Sequence, residues 1–220
     1  VLQTSNSEYI AVGSVRINNL YKINLTKLDA YGNILWVKVY GIGYANAKWA
    51  ELTNDKGFIV VGYSDSAIGG TKVYVVKTDS EGNIQWQKYY SFSSLDQGNC
   101  IKQTNDNGFI ITGRTTISNY SSIILLKIDS IGGLEWSRII SLGIGVSIQS
   151  ILSLGNGYLL TGWKNNNPSD VLIIKTDNSG DTLWSRTYGG TNSDAAYSSV
   201  SLGSYGYLIG GYSNSFNIHS

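Results

Sequence analysis

A period of about fifty residues constrains this chain more than any other feature. A short apolar segment closing on glycine recurs as EYIAVG (8–13), GFIVVG (57–62), GFIITG (108–113), GYLLTG (157–162) and GYLIGG (206–211). It places Gly13, Gly62, Gly113, Gly162 and Gly211 at intervals of 49, 51, 49 and 49 residues. Between these copies runs a second segment: KLDAYGNILW (27–36), KTDSEGNIQW (77–86), KIDSIGGLEW (127–136) and KTDNSGDTLW (175–184). Its tryptophans, Trp36, Trp86, Trp136 and Trp184, stand 50, 50 and 48 residues apart. A fixed interval of this size means that one supersecondary unit is stacked on copies of itself.

Each unit reads as four short strands. The first varies (VLQT, WAELT, CIKQT, SIQSILSL, SSVSL), and Asn-, Asp- and Gly-rich turns such as TNDKG and TNDNG follow it. Those turn residues tolerate the positive φ of a tight hairpin. The second strand is the run closing on glycine. The third is VYVVKTD (73–79) and its equivalents. Both are apolar at successive positions, which marks strands buried on both faces. A variable loop of roughly ten residues is expected between them. The fourth strand carries the tryptophan and is more polar, as suits an outer edge. No window of eleven residues shows helical periodicity. Two doubly buried strands between two more polar ones describe a twisted sheet sandwiched between copies of itself. The fold class expected is therefore all-β, a β-propeller of four-stranded antiparallel blades of about 50 residues. A β-solenoid is the competing arrangement, and its repeats are usually shorter. Blades fall near residues 1–45, 46–96, 97–145 and 146–194, with a partial blade over 195–220.

Composition narrows the function classes. The 220 residues can bury a sizeable core. Sixteen basic against fifteen acidic residues leave a formal net charge of +1, so no charge argument favours nucleic acid or a membrane surface. No apolar run approaches the ~18 residues of a membrane-spanning helix. The lone cysteine, Cys100, excludes an internal disulfide and reads as a small buried side chain. The only histidine, His219, lies in the terminal tail, which leaves a triad or a histidine metal site nothing to work with. No cofactor is expected.

The recurrent residues have structural readings first. Each tryptophan is expected to plug the gap between adjacent blades, where burying ~200 Å² of aromatic surface stabilises by roughly 5 kcal/mol. Asp29, Asp79, Asp129 and Asp177 head the turns, where a carboxylate accepts backbone N–H bonds. A calcium loop needs several oxygen ligands at close spacing, and DSEGN and DNSGD offer one or two acids each. Lys27, Lys77, Lys127 and Lys175 precede those aspartates by two residues, hence on the same face of the strand, as ion pairs or apolar stems. Trp49, Trp163 and Tyr120 fall outside the repeat and are the candidate ligand contacts. Two sequons, at Asn24 and Asn119, are candidate glycosylation sites, Asn119 in a variable loop and Asn24 within a central strand.

The segment TLWSRTYGGTNSDAAYSSV (182–200), followed by GYLIGGYS (206–213), resembles a repeat of secreted and cell-surface proteins of bacteria and archaea. The resemblance extends over essentially the whole chain. The Asp…Gly…Trp hairpin is also similar to the tryptophan-docking motif of quinoprotein propellers and to the Asp-box turn of sialidase-like propellers. What the resemblance implies is an extracellular or cell-surface propeller that is non-catalytic, a structural or interaction module whose partner is a protein or a carbohydrate. The alternative is an extracellular carbohydrate-active enzyme, or the accessory propeller of one. Glycoside hydrolysis needs only two suitably placed carboxylates. The chain starts and stops within a repeat, and is read as part of a longer protein of six to eight blades. The strand over 206–213 is expected to present an open edge at which a neighbouring chain could pair.

Overall fold

The computed structural model describes residues 1–4, 6–65, 70–143 and 145–215, and His219 lies outside the described residues. It holds four four-stranded antiparallel sheets and a fifth of two strands. Blade one comprises β1 (Leu2–Gln3), β2 (Tyr9–Ile17), β3 (Leu20–Leu28) and β4 (Ile34–Tyr40). Blade two comprises β5 (Ala45–Leu52), β6 (Phe58–Asp65), β7 (Thr71–Thr78) and β8 (Ile84–Tyr90). Blade three comprises β9 (Gln97–Gln103), β10 (Phe109–Ile117), β11 (Tyr120–Ile128) and β12 (Leu134–Ile140). Blade four comprises β13 (Val146–Leu154), β14 (Gly157–Asn165), β15 (Ser169–Thr176) and β16 (Thr182–Tyr188). The fifth sheet pairs β17 (Asp194–Ser201) with β18 (Tyr207–Ser213). Strands follow one another in chain order within every sheet, the up-and-down topology of propeller blades. No helix among the described residues is long and apolar enough to cross a membrane.

The core lies between blades. One cluster fills the space between blades one and two (Ile23, Leu25, Phe58, Val60, Tyr74). A second fills that between blades two and three (Val61, Val75, Phe109, Ile111, Leu126). A third fills that between blades three and four (Ile110, Leu125, Ile148, Leu160, Ile174). The two central strands of blades two to four are buried on both faces, as their unbroken apolar runs require. The four first strands β5, β9, β13 and β17 lie side by side around the inside of the arc.

Each tryptophan docks on the following blade. Trp36 meets Phe58 edge-on, Trp86 meets Phe109, and Trp136 meets Tyr158, with ring centroids 6.2–6.3 Å apart. The same indoles lie against the turn glycines Gly82, Gly132 and Gly180 of that next blade, where an added Cβ would stand 2.6–3.0 Å from the ring. All three glycines have φ of 75–80°, so absence of a side chain and freedom of backbone are both needed there. Tyr40 and Tyr90 reinforce the docking by donating hydrogen bonds to the carbonyls of Gly82 and Gly132 at 2.7 and 2.8 Å. Trp184 is 40% exposed; no Asp turn follows it among the described residues.

The aspartates heading those turns accept as expected. Oδ1 of Asp29, Asp79, Asp129 and Asp177 each takes two backbone N–H bonds, at 2.6–2.9 Å. Among the described residues no group of three or more His, Cys, Asp or Glu is arranged to hold a metal. Lys77, Lys127 and Lys175 are buried and Lys27 half-buried, and all four tie the third strand to the preceding hairpin. Lys77 pairs with Asp55 at 2.7 Å, Lys127 with Asp106 at 2.8 Å and Glu135 at 3.1 Å, and Lys27 with Glu8 at 3.1 Å. Lys175 bonds Asn156 Oδ1 instead, at 3.0 Å.

One expectation is corrected. The ten-residue loop between second and third strands does not exist in blades one and three, where both strands run on to two-residue turns at Asn18–Asn19 and Ser118–Asn119. All four turn residues have positive φ, of 48–66°, the geometry that matches the twist of a tight hairpin. The polar residues that read as loop are the ends of paired strands, exposed at the turn itself while Thr115 and Ser122 are buried.

Two predictions follow from this packing. Trp86→Ala should lower stability by about 3–5 kcal/mol, as truncation of a packed aromatic does, and Trp184→Ala by much less. Equal losses in urea melts of the two variants would contradict docking on the following blade. The second concerns acid. Burial raises the carboxyls of Asp55 and Asp106, but hydrogen bonds from Lys77 and Thr53, and from Lys127 and Thr104, outweigh it and hold both down to about 2. A folded value below the unfolded 3.8 means stability that is present above pH ~4 and lost as pH falls toward ~2. The melting temperature should therefore hold between pH ~5 and ~7 and fall below ~4. The Asp55→Asn/Asp106→Asn variant should show a shallower acid limb.

Candidate functional site

A cavity opens where the first strands meet. Each of the four carries one residue too many for its partner. The register of β5 on β6 skips Lys48, that of β9 on β10 skips Asn99, that of β13 on β14 skips Gln149, and that of β17 on β18 skips Tyr197. A bulge bends its strand and re-aims the extra side chain. Opposite every bulge stands one of the recurrent glycines. A Cβ on Gly62, Gly113, Gly162 or Gly211 would overlap the carbonyl oxygen of Asn46, Gln97, Ser147 or Ala195 respectively. These glycines are required by close backbone approach, not by unusual φ. Gly13 is the exception that supports the rule. Its partner strand β1 is two residues long and ends short of it, and a Cβ there would meet nothing within 4 Å.

The four bulge residues, Lys48, Asn99, Gln149 and Tyr197, converge on one cavity of about 420 Å3. Trp49, Gln97, Arg114 and Ser147 complete its lining. Asn99 Nδ2 donates to the Ile148 carbonyl at 2.9 Å, and Gln149 Nε2 donates to Ser147 Oγ at 2.8 Å. These bonds fix the two amides while their carbonyl oxygens remain acceptors. Trp49 packs against the apolar clusters on both sides of blade three. Lys102 Nζ stands 6.0 Å from its ring centroid, and its indole N–H is buried without a partner. Lys102 is itself paired with Glu51 at 3.3 Å. Burial raises the Glu51 carboxyl, with Lys102 opposing the shift. Lys48 Nζ lies 5.7 Å from the Tyr63 ring. The Tyr63 phenol is pushed up to about 12, by burial first and then by Tyr44.

This lining has a definite chemistry. Amides and hydroxyls that both donate and accept, beside an indole and a phenol, suit a ligand rich in hydroxyl groups. The lining contains two cations and no carboxylate, so the pocket does not itself supply the carboxylate pair used in glycoside hydrolysis.

The sequence-derived candidates are dispersed. Trp49 is in the pocket. Trp163 lies in β14, half-buried, across from Ser147, and does not line it. Tyr120 is exposed at the outer tip of blade three, next to Asn119 in the two-residue turn. Asn119 is exposed; Asn24 is half-buried in β3, where its Oδ1 accepts from Thr26 Oγ1 at 3.0 Å. Of the seven lining residues besides Trp49, six lie in first strands, which look merely variable in the sequence, and Arg114 follows Gly113 in β10. The signal was in the glycines. A glycine inside a strand marks a bulge or close backbone approach, and the bulge residue stands 14, 14, 13 and 14 positions before it.

No protein-family model and no curated protein matches the sequence. Among solved structures the chain is similar to a "putative exo-beta-1,3-galactanase from Bifidobacterium bifidum s17". The TM-score is 0.53 at 11% identity, covering 96% of this chain and 80% of that one. At that identity the likeness concerns the fold.

Gly113→Ala should cost about 1–3 kcal/mol through overpacking against the bulge, whereas Gly13→Ala should be close to neutral. Denaturant midpoints for the pair check this; indistinguishable midpoints would remove the bulge as the reason for the glycine.

Proposed function

We propose that this chain is a non-catalytic propeller of the extracellular or cell-surface kind, an interaction module whose inner pocket binds a carbohydrate. The observation that carries the reading is the convergence of four bulge residues from four successive blades on a single cavity. A bulge re-aims one side chain each time, and the residue differs each time (Lys, Asn, Gln, Tyr) while the supporting glycine stays the same. The scaffold is repeated and the contact surface is not, as in a site grafted on a fold. Trp49 supplies an aromatic surface for a sugar ring. The resemblance to repeats of secreted and surface proteins supports the location, as does the exposed sequon at Asn119. Asp55, Asp106 and the turn aspartates are engaged in ion pairs and hydrogen bonds that hold the blades.

The second reading, a carbohydrate-active enzyme or its accessory propeller, draws on the fold shared with the galactanase-named structure. Two assays separate the readings. Titration calorimetry against a panel of oligosaccharides should find a ligand whose affinity falls about tenfold or more in Asn99→Ala/Gln149→Ala, since two hydrogen bonds at about 1 kcal/mol each are lost. Incubation of the same protein with β-1,3-galactan should release no reducing sugar. Sugar release would favour the enzyme, and unaltered binding in the double variant would move the site elsewhere.

A further inference from the structure

The same pocket has an electrostatic character that the hydroxyl-binding reading leaves unused. Lys48 and Arg114 both line it, and no acidic side chain does. Neither cation forms an ion pair among the described residues, whereas Lys102, behind Trp49, is paired with Glu51. Lys48 projects from the bulge of β5 and Arg114 from β10, where it faces Gln97 across the sheet. The two belong to neighbouring blades. Asn99, Gln149 and Ser147 come from β9 and β13, and Tyr197 from β17. Two like charges beside one cavity repel, and an anion between them removes that cost. The planar fork of a guanidinium matches a carboxylate in two-point contact, and the lysine adds a point charge. The nearest acid shown beside them is Asp65, which ends β6 and, like Arg114, acts on Tyr63, but it forms no ion pair with Lys48 or Arg114 among the described residues and does not line the cavity.

We propose that the ligand is an acidic saccharide, with a uronic-acid carboxylate held between Lys48 and Arg114 and the sugar ring carried by Trp49 and the amide wall. This rests on the carbohydrate reading of the pocket and adds the charge of the ligand to it. A saccharide is favoured over an acidic peptide because the rest of the lining is amides, hydroxyls and an indole, which suit ring hydroxyls. A run of carboxylates would leave those groups unmatched.

The test is calorimetry of the whole chain with three probes: a galacturonate oligomer, the same oligomer methyl-esterified, and oligoglutamate, each at low and at physiological salt. The acidic oligomer should bind at least tenfold tighter than its ester, and the preference should shrink as salt rises. Arg114→Gln should cut the acid-over-ester preference, read as the ratio of the two affinities in the same variant. Lys48→Met, at an exposed position, serves as a second variant, and Arg114→Lys should keep part of the preference. Equal affinity for acid and ester, or a preference that survives both neutralising variants, overturns the acidic-ligand inference and leaves the carbohydrate reading standing. Tighter binding of oligoglutamate than of the uronate overturns it in favour of a peptide. If neither saccharide form binds, both readings fall.

Discussion

The architecture depends on the docking of each tryptophan onto the turn of the next blade. A four-stranded sheet with two doubly apolar faces has no stable existence alone. It needs a neighbour on both sides, placed so that the apolar rows interdigitate. The indole on the fourth strand sets that placement, because it reaches the next blade's aspartate-headed turn at a position where only glycine leaves room. The aspartate fixes the turn through two backbone hydrogen bonds, the glycine receives the ring, and the apolar clusters follow between the sheets. The exposed Trp184 shows the dependence from the other side: with no turn to receive it among the described residues, the same residue in the same local setting is accessible.

Docking of this kind repeats, and repetition by itself makes no site. The site arises from the second device, the bulge in each inner strand. A bulge is tolerated because the opposing residue is glycine, and it frees one side chain per blade from the alternation of the strand. Four blades thereby offer four independent choices at one cavity, and here they are a cation, two amides and a phenol. Constancy and variation are separated in the sheet: the outer strands and turns hold the blades together, and the inner strands carry what differs.

The charged residues divide along the same line. Lys27, Lys77 and Lys127 are paired with acids on the strand 1–2 hairpins, where burial makes an unpaired charge costly. Lys48 and Arg114 stand in a cavity open to solvent, where an unpaired charge costs little in the free protein. Of the acids in or beside the inner strands, Glu51 pairs with Lys102, Asp96 accepts the N–H groups of Phe92 and Ser93, and Asp194 Oδ2 accepts from the Gly190 N–H and Ser215 Oγ.

Much of this was legible in the sequence. The period gave sheets of four strands, the doubly apolar runs gave burial on both faces, and the Asp–x–x–Gly spacing gave the turns, because each rests on contacts within a few residues. The variable stretches were misread for the same reason. The residues around 18–19 and 118–119 are polar enough to read as loop, and only the paired strand shows them to be hairpin ends. The bulges are a property of two strands in register, so Lys48, Asn99, Gln149 and Tyr197 carry no local mark. Their convergence further requires that successive blades turn about a common axis. Sequence alone determined the repeated unit, since local periodicity and turn chemistry decide it. The tertiary structure decided which side chain of each unit faces the cavity, since that depends on backbone approach between strands and rotation between blades.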